Sequence, residues 1–312
     1  MKLLRLFIVA LLYALPGASF STAHGEAVKA VATYSILGDI VQNVGGEHLD
    51  LTVLVGPDSD SHTFEPAPSD AVTLAEAQVI FENGLEFESW LDDLYTASGS
   101  SAERVEVSRG VVPLEFAEHD EEHADEAGEE HEHGEFDPHI WHSVTNAIKM
   151  TENVRDALIS IDPDHADEYI ANAEAYIARL TELDTFIRDE VAALLEERRK
   201  IVTTHDTFSY FASDYGFEIL GTALAAATTE AADPSAADIA SLVREIQEAG
   251  VPAIFADNIT NPDLMTQIAE NAGVTLAPAL YTDALGQPGT PGDTYINLMR
   301  YNVTTIVAAL EQ

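Results

Sequence analysis

The chain reads as an α/β protein of two lobes, each a four-stranded parallel sheet covered by helices, joined by one long rigid helix across a cleft. Three observations lead to the architecture. Short apolar runs alternate with amphipathic stretches of helical period over residues 26–114, and the alternation returns over residues 200–312. Between them, Pro163 to Arg199 holds no Gly and no further Pro. At 312 residues of ordinary hydrophobicity, the chain is long enough for two core-bearing units.

Taken in order, residues 28–34 form a buried strand and Ile36 to Gly45 an amphipathic helix. Residues 50–56 are a second strand ending in a Gly-Pro turn. A capped helix over 69–77, a strand over 79–84, a helix from Leu85 to Ala97 and a strand over 104–108 complete the first run. One helix spans Val144 to Ser160. It stops at Asp162-Pro163, where Asp caps the next helix and Pro takes its first turn. Leu180, Leu183, Ile187, Val191 and Leu194 keep an apolar stripe along that helix, which at 1.5 Å per residue would be about 50 Å long. The second run places strands at 200–204, 217–222, 251–256 and 275–281. Its helices lie at 207–215, 235–249, from Asn261-Pro262 to Gly273, and 294–310. The expected division is a signal peptide over 1–23, a first lobe over 24–114, and a flexible loop over 115–136. The rest of the first lobe follows over 137–162, then the linking helix over 163–199 and the second lobe over 200–312.

The formal charge is −41, from 14 basic and 55 acidic residues, a field that repels nucleic acid and anionic lipid and draws cations. With no cysteine, disulfides and thiolate zinc sites are excluded. Lys2 and Arg5 precede the apolar run 6–15, and small residues lead to Ala23, the pattern of a cleaved export signal. The run is too short to span a bilayer, and without cysteine a lipid-anchored mature terminus is not expected. The expectation is a soluble, monomeric periplasmic protein with no stable membrane insertion.

Of the 11 histidines, six lie at 119, 123, 131, 133, 139 and 142, among Asp and Glu and free of Lys or Arg. His119, His123, His131 and His133 sit in a run with few large apolar residues, and read as a flexible metal-attracting loop or simply a solvated acidic tether. His139, between Asp137-Pro138 and Ile140-Trp141, stands where folded structure resumes. In parallel sheets functional residues gather beyond the C-terminal ends of strands. His62 follows the second strand, His205-Asp206 the fifth, and Asp283 the eighth. If the two mouths face each other, three imidazoles and one carboxylate meet, an N3O set suited to Zn2+. Spacing alone does not single out these four, and His62 on its own reads as a solvated or hydrogen-bonded loop residue. His48 and His165 read as surface side chains.

Together these segments resemble the metal-binding receptors of ABC importers for zinc and manganese, the TroA-like or cluster A-I substrate-binding proteins. The matching stretches are Asp60-Ser-His62-Thr-Phe-Glu-Pro66, Asp137-Pro-His139-Ile-Trp141, Thr204-His205-Asp206-Thr-Phe-Ser-Tyr-Phe211 with Tyr215-Gly216, Tyr281-Thr-Asp283, Gly292-Asp-Thr-Tyr295 and Met299-Arg-Tyr301-Asn302. The resemblance implies two (β/α)4 lobes, ligands His62, His139, His205 and Asp283, and an ABC permease as partner. It further implies zinc rather than manganese, because manganese-type members carry Glu at position 205 and zinc-type members, including the subgroup of AztC and ZnuA, carry His. His142 departs from the family's usual apolar residue. It and Asp206 are expected beside the ligands, hydrogen-bonding to them. The loop histidines are expected to assist zinc capture or transfer, with a periplasmic zinc chaperone as a possible donor. The competing expectations are an exported zinc-dependent hydrolase, which would need an open coordination position, a manganese receptor of the same family, and a zinc buffer or adhesin without a transporter.

Overall fold

The computed structural model describes residues 27–115, 135–224 and 234–312. The export signal, the loop histidines His119, His123, His131 and His133, and Asp233 lie outside these described residues.

The first sheet takes the order β2-β1-β3-β4, from β1 (Val28–Tyr34), β2 (Leu49–Val55), β3 (Val79–Glu82) and β4 (Glu103–Glu106). All three pairings are parallel. Central β1 and β3 are buried along nearly their whole length, with only Lys29 part-exposed, as strands covered on both faces must be. Edge strand β2 alternates, with Asp50 and Thr52 turned to solvent. Helices α1 (Ser35–Gly45), α2 (Pro68–Glu76), α3 (Leu91–Ser98) and α4 (Val144–Ile161) belong to this lobe.

The second lobe repeats the plan with shorter strands. β5 (Lys200–Thr203) pairs with β6 (Glu218–Thr222), and β7 (Ala253–Ile254) with β8 (Thr275–Leu276), both parallel. The Phe255 amide donates to the Val202 carbonyl at 3.0 Å and sets the two pairs side by side, β6-β5-β7-β8. β7 and β8 are shorter than expected because Pro252 and Pro278 cannot donate to a ladder. Beyond Pro278 the strands touch again only through the Asp257–Leu280 bridge. Helices α6 (Ser209–Tyr215), α7 (Ala236–Ala249), α8 (Asp263–Ala272) and α9 (Tyr295–Leu310) cover this sheet. α7 opens on a capping box, in which Ser235 accepts from the Asp238 amide while the Asp238 carboxylate accepts from the Ser235 amide.

The long helix α5 runs Ala166–Ala193, 28 residues or about 42 Å. It packs on α1 and α4 in the first lobe and on α9 in the second. It ends short of Arg199 because Leu194 turns extended, and its carbonyl accepts two bonds from the Arg199 guanidinium, at 3.1 and 3.0 Å. One apolar core runs from the first lobe through α5 into the second, from Val28 and Trp141 to Leu310. The expected helix from Leu85 starts only at Leu91. Gly84, Leu85 and Glu86 all adopt positive φ, a turn no helix can include. That turn is held by the buried Glu88 carboxylate, which accepts from the Thr33 hydroxyl at 2.6 Å and the Asn83 amide at 2.7 Å.

Candidate metal centre

Where strand order reverses in each sheet, the loops after adjacent strands diverge and leave a crevice. In the second lobe that place lies between β5 and β7. His205 follows β5 and Asp257 follows β7, and the His205 Nδ1–H donates to Asp257 at 2.7 Å. In the first lobe the equivalent strands are β1 and β3. Tyr34, ending β1, donates its hydroxyl to Asn83 just past β3, and Asn83 donates onward to the Pro138 carbonyl at 2.9 Å. The sheet thereby fixes the backbone beside His139. Asp137 completes the placement, accepting from the His139 amide at 2.8 Å and from its Nδ1–H at 2.7 Å.

His62 sits in the loop after β2. Its amide donates to Asp60, the Trp90 indole N–H holds the Ser61 carbonyl at 3.0 Å, and Phe87 meets its ring edge-on at 5.0 Å. Asp283 lies past β8 in irregular chain. The Thr282 carbonyl accepts from the Trp141 indole at 2.9 Å, the Tyr281 amide donates to Asn302 at 3.0 Å, and the Thr282 amide donates to Asn258 at 3.2 Å.

These four side chains come together. His62 Nε2 lies 3.4 Å from His139 Nε2 and 3.4 Å from Asp283 Oδ2, His139 Nε2 3.7 Å from Asp283 Oδ1, and His205 Nε2 3.1 Å from Asp283 Oδ2. One ligand atom from each lies within 4.8 Å of every other, and all four residues are buried. A tetrahedral ion with bonds of about 2.0–2.1 Å has ligand–ligand edges of about 3.3–3.4 Å, so the cluster matches such a shell. Both tautomers are set as well. Asp137 and Asp257 each take an Nδ1 proton, which leaves Nε2 of each ring as the inward-facing nitrogen. His205 Nε2 and Asp283 Oδ2, although close, make no well-directed hydrogen bond. Two buried polar atoms without a good partner are costly, and a cation between them would satisfy both.

Burial alone would raise the Asp283 carboxyl, but the His205 and His139 imidazoles hold it well below the usual carboxylate range. Burial opposes charge on His205, yet Asp283 and Asp257 hold its proton well above the usual imidazole range. Both directions favour a proton held between these two side chains, one that a cation entering the cluster would displace. Entry also requires opening. At the rim, residues of the two lobes bond directly, Asp58 amide to Leu285 carbonyl at 2.8 Å and Leu285 amide to Ser35 hydroxyl at 2.9 Å.

The expected neighbours fall differently. Asp206 accepts from the Ser209 hydroxyl at the head of α6, and the carboxylate on His205 is Asp257 instead. His142 lies against Phe208, 4.5 Å between ring centres, with neither nitrogen in a good hydrogen bond. Burial, helped by His139, holds it down to about 3, so it is a neutral packed ring. The orienting carboxylates went unassigned from sequence, although Asp257 stands beyond a strand end as His205 does.

Among the described residues no helix is long and apolar enough to cross a membrane. The family model described as zinc-uptake complex component A, periplasmic, matches residues 30–309. The manganese-binding lipoprotein MntA of Halalkalibacterium halodurans is 35% identical, covering 98% of this chain and 97% of its own. The periplasmic zinc-binding protein TroA of Treponema pallidum superposes with a TM-score of 0.80 at 28% identity, over 91% of this chain and 99% of TroA. The Mn-bound periplasmic metal-binding protein of Candidatus Liberibacter asiaticus superposes with a TM-score of 0.78 at 26% identity, over 91% and 99%. On these matches the chain belongs to the family of periplasmic zinc-uptake component A, with the two-lobed TroA-like fold.

Proposed function

We propose that the chain is a periplasmic receptor that holds one Zn2+ between its lobes on His62, His139, His205 and Asp283 and surrenders it to an ABC-type permease for import. The observation that supports this reading is the buried N3O cluster, with edges of 3.1–3.7 Å and two carboxylates setting imidazole tautomers. Three imidazoles favour a borderline cation over a hard one. Four protein donors fill a tetrahedral shell, which suits a receptor better than a hydrolase needing an open position. The names of relatives, all binding proteins, point the same way. Because the ligands are buried, uptake and release both require the Asp58–Leu285 rim to part, and the permease supplies the opening for release.

A manganese receptor is the second reading, favoured by the name of the MntA relative. The His-rich run at 119–133 is proposed to capture zinc or accept it from a chaperone. Competitive titration of the stripped mature protein separates the metals. One equivalent of Zn2+ should bind tightly, and excess Mn2+ should fail to displace it. Displacement by equimolar Mn2+ would overturn the zinc assignment. Deleting residues 117–133 should slow loading and leave the tight site intact. Fractionation of the host cell checks the periplasmic address.

A further inference from the structure

Away from the cleft, a second convergence of imidazole and carboxylate joins the start of the linking helix to the first lobe. His48 closes the short 3-10 turn between α1 and β2, His165 lies just before α5, and Glu168 is in the first turn of α5. The two imidazoles stack with centres 3.9 Å apart and planes inclined by 24°. His48 Nε2 pairs with the Glu168 carboxylate. Donor atoms from the three residues lie within 4.8 Å of one another.

We propose that His48, His165 and Glu168 form a second, peripheral site for a borderline divalent cation of the Zn2+ class. The scaffold is already in place. Asp162 accepts from the His165 Nδ1–H at 2.6 Å and from the Tyr169 hydroxyl at 2.7 Å. This fixes the His165 tautomer and leaves Nε2 as the donor, the arrangement that carboxylates impose on metal-binding imidazoles in general. The Asn172 side chain donates to the Val44 carbonyl at 3.0 Å and holds the His48 turn against α5 without a cation.

The surroundings suit a cation. His48 and His165 side chains are 16% and 28% exposed and Glu168 is 58% exposed, so an ion would bind two donors partly shielded and keep water on its open side. The overall charge of −41 raises the local concentration of cations at such a surface. Two imidazoles with one carboxylate is a recognised three-ligand zinc set. A plain ion pair between protonated His48 and Glu168 is the competing description, and it predicts no metal response. The three residues share no side chain with the cleft cluster.

The test uses the mature protein loaded with one equivalent of Zn2+ and titrated with more. Imidazole 1H–15N resonances are followed and assigned with His48→Gln and His165→Gln. Ring signals of both residues should move together at a single Zn2+ midpoint. His165→Gln should abolish the response of His48, and Asp162→Asn should raise the midpoint about tenfold. The same midpoint should persist in a chain lacking residues 117–133. Rings that stay unmoved to saturation, that shift at separate midpoints, or that respond only when residues 117–133 are present would each overturn the proposal.

Discussion

The two lobes share a strand order and differ in how they hold their share of the cleft. In the first, β1 and β2 are seven residues long, and its two histidines rest on a continuous ladder through Asn83, Trp90 and Asp137. In the second, β7 and β8 are two residues each, and Asp283 stands on side-chain bonds from Asn258 and Asn302 rather than on sheet. The second lobe nevertheless carries most of the charge, with His205 between Asp257 and Asp283. The difference is a division of labour: the first lobe presents two imidazoles on sheet-anchored partners, and the second brings the carboxylate that faces them and the His205 proton held beside it.

The largest effect should come from removing a ligand. His205→Ala or Asp283→Ala should weaken Zn2+ by more than about 100-fold, exceeding what loss of an orienting partner causes. Isothermal titration reads it, and similar affinity in both variants and the parent would break the scheme. Next, Asp257→Asn and Asp137→Asn should each weaken zinc about 10–100-fold. Asp257→Asn should also flatten the pH dependence more than Asp137→Asn, because Asp257 helps retain the His205 proton that zinc must displace. With that proton held above the ordinary imidazole range, parent affinity should already fall as pH drops toward about 6.5.

A third comparison concerns the first lobe alone. Burial pushes Glu88 from 4.5 up to about 7. Between those values the folded chain keeps the Glu88 proton that the unfolded chain has lost, so the contribution of this group to stability is largest on the acid side and is lost as pH rises through the window. The decline should total about 3 kcal/mol. Urea unfolding of the parent and of Glu88→Gln, which keeps an acceptor for Thr33 and Asn83, at pH 5 and pH 8 measures it as the difference between their two slopes. Smallest, Asn302→Ala should cost about 1–3 kcal/mol by orphaning the Tyr281 amide. It should speed zinc release more than an equally destabilising change under His62. Equal release rates would erase the proposed asymmetry.

Much of this was legible in the sequence because parallel strands covered on both faces must be apolar runs, and such sheets gather function at their C-terminal mouths. His62, His205 and Asp283 could be placed by that rule, and the family resemblance joined them to His139. What stayed illegible was pairing across the fold. Asp257 is 52 positions from His205, so nothing local marks it as that ring's partner. The turn at Leu85 and Glu86 was missed because two non-glycine residues at positive φ contradict propensity and are held by Glu88 and its distant partners. The helix end at Leu194 depends on Arg199 reaching back, a contact apolar periodicity cannot register.

The most direct measurement is zinc X-ray absorption on the singly loaded protein lacking residues 117–133, compared with its His205→Ala variant. Three imidazole nitrogens and one carboxylate oxygen at about 2.0–2.1 Å are predicted in the first, with one imidazole fewer in the variant. A zinc shell unchanged by the loss of His205 would contradict the account.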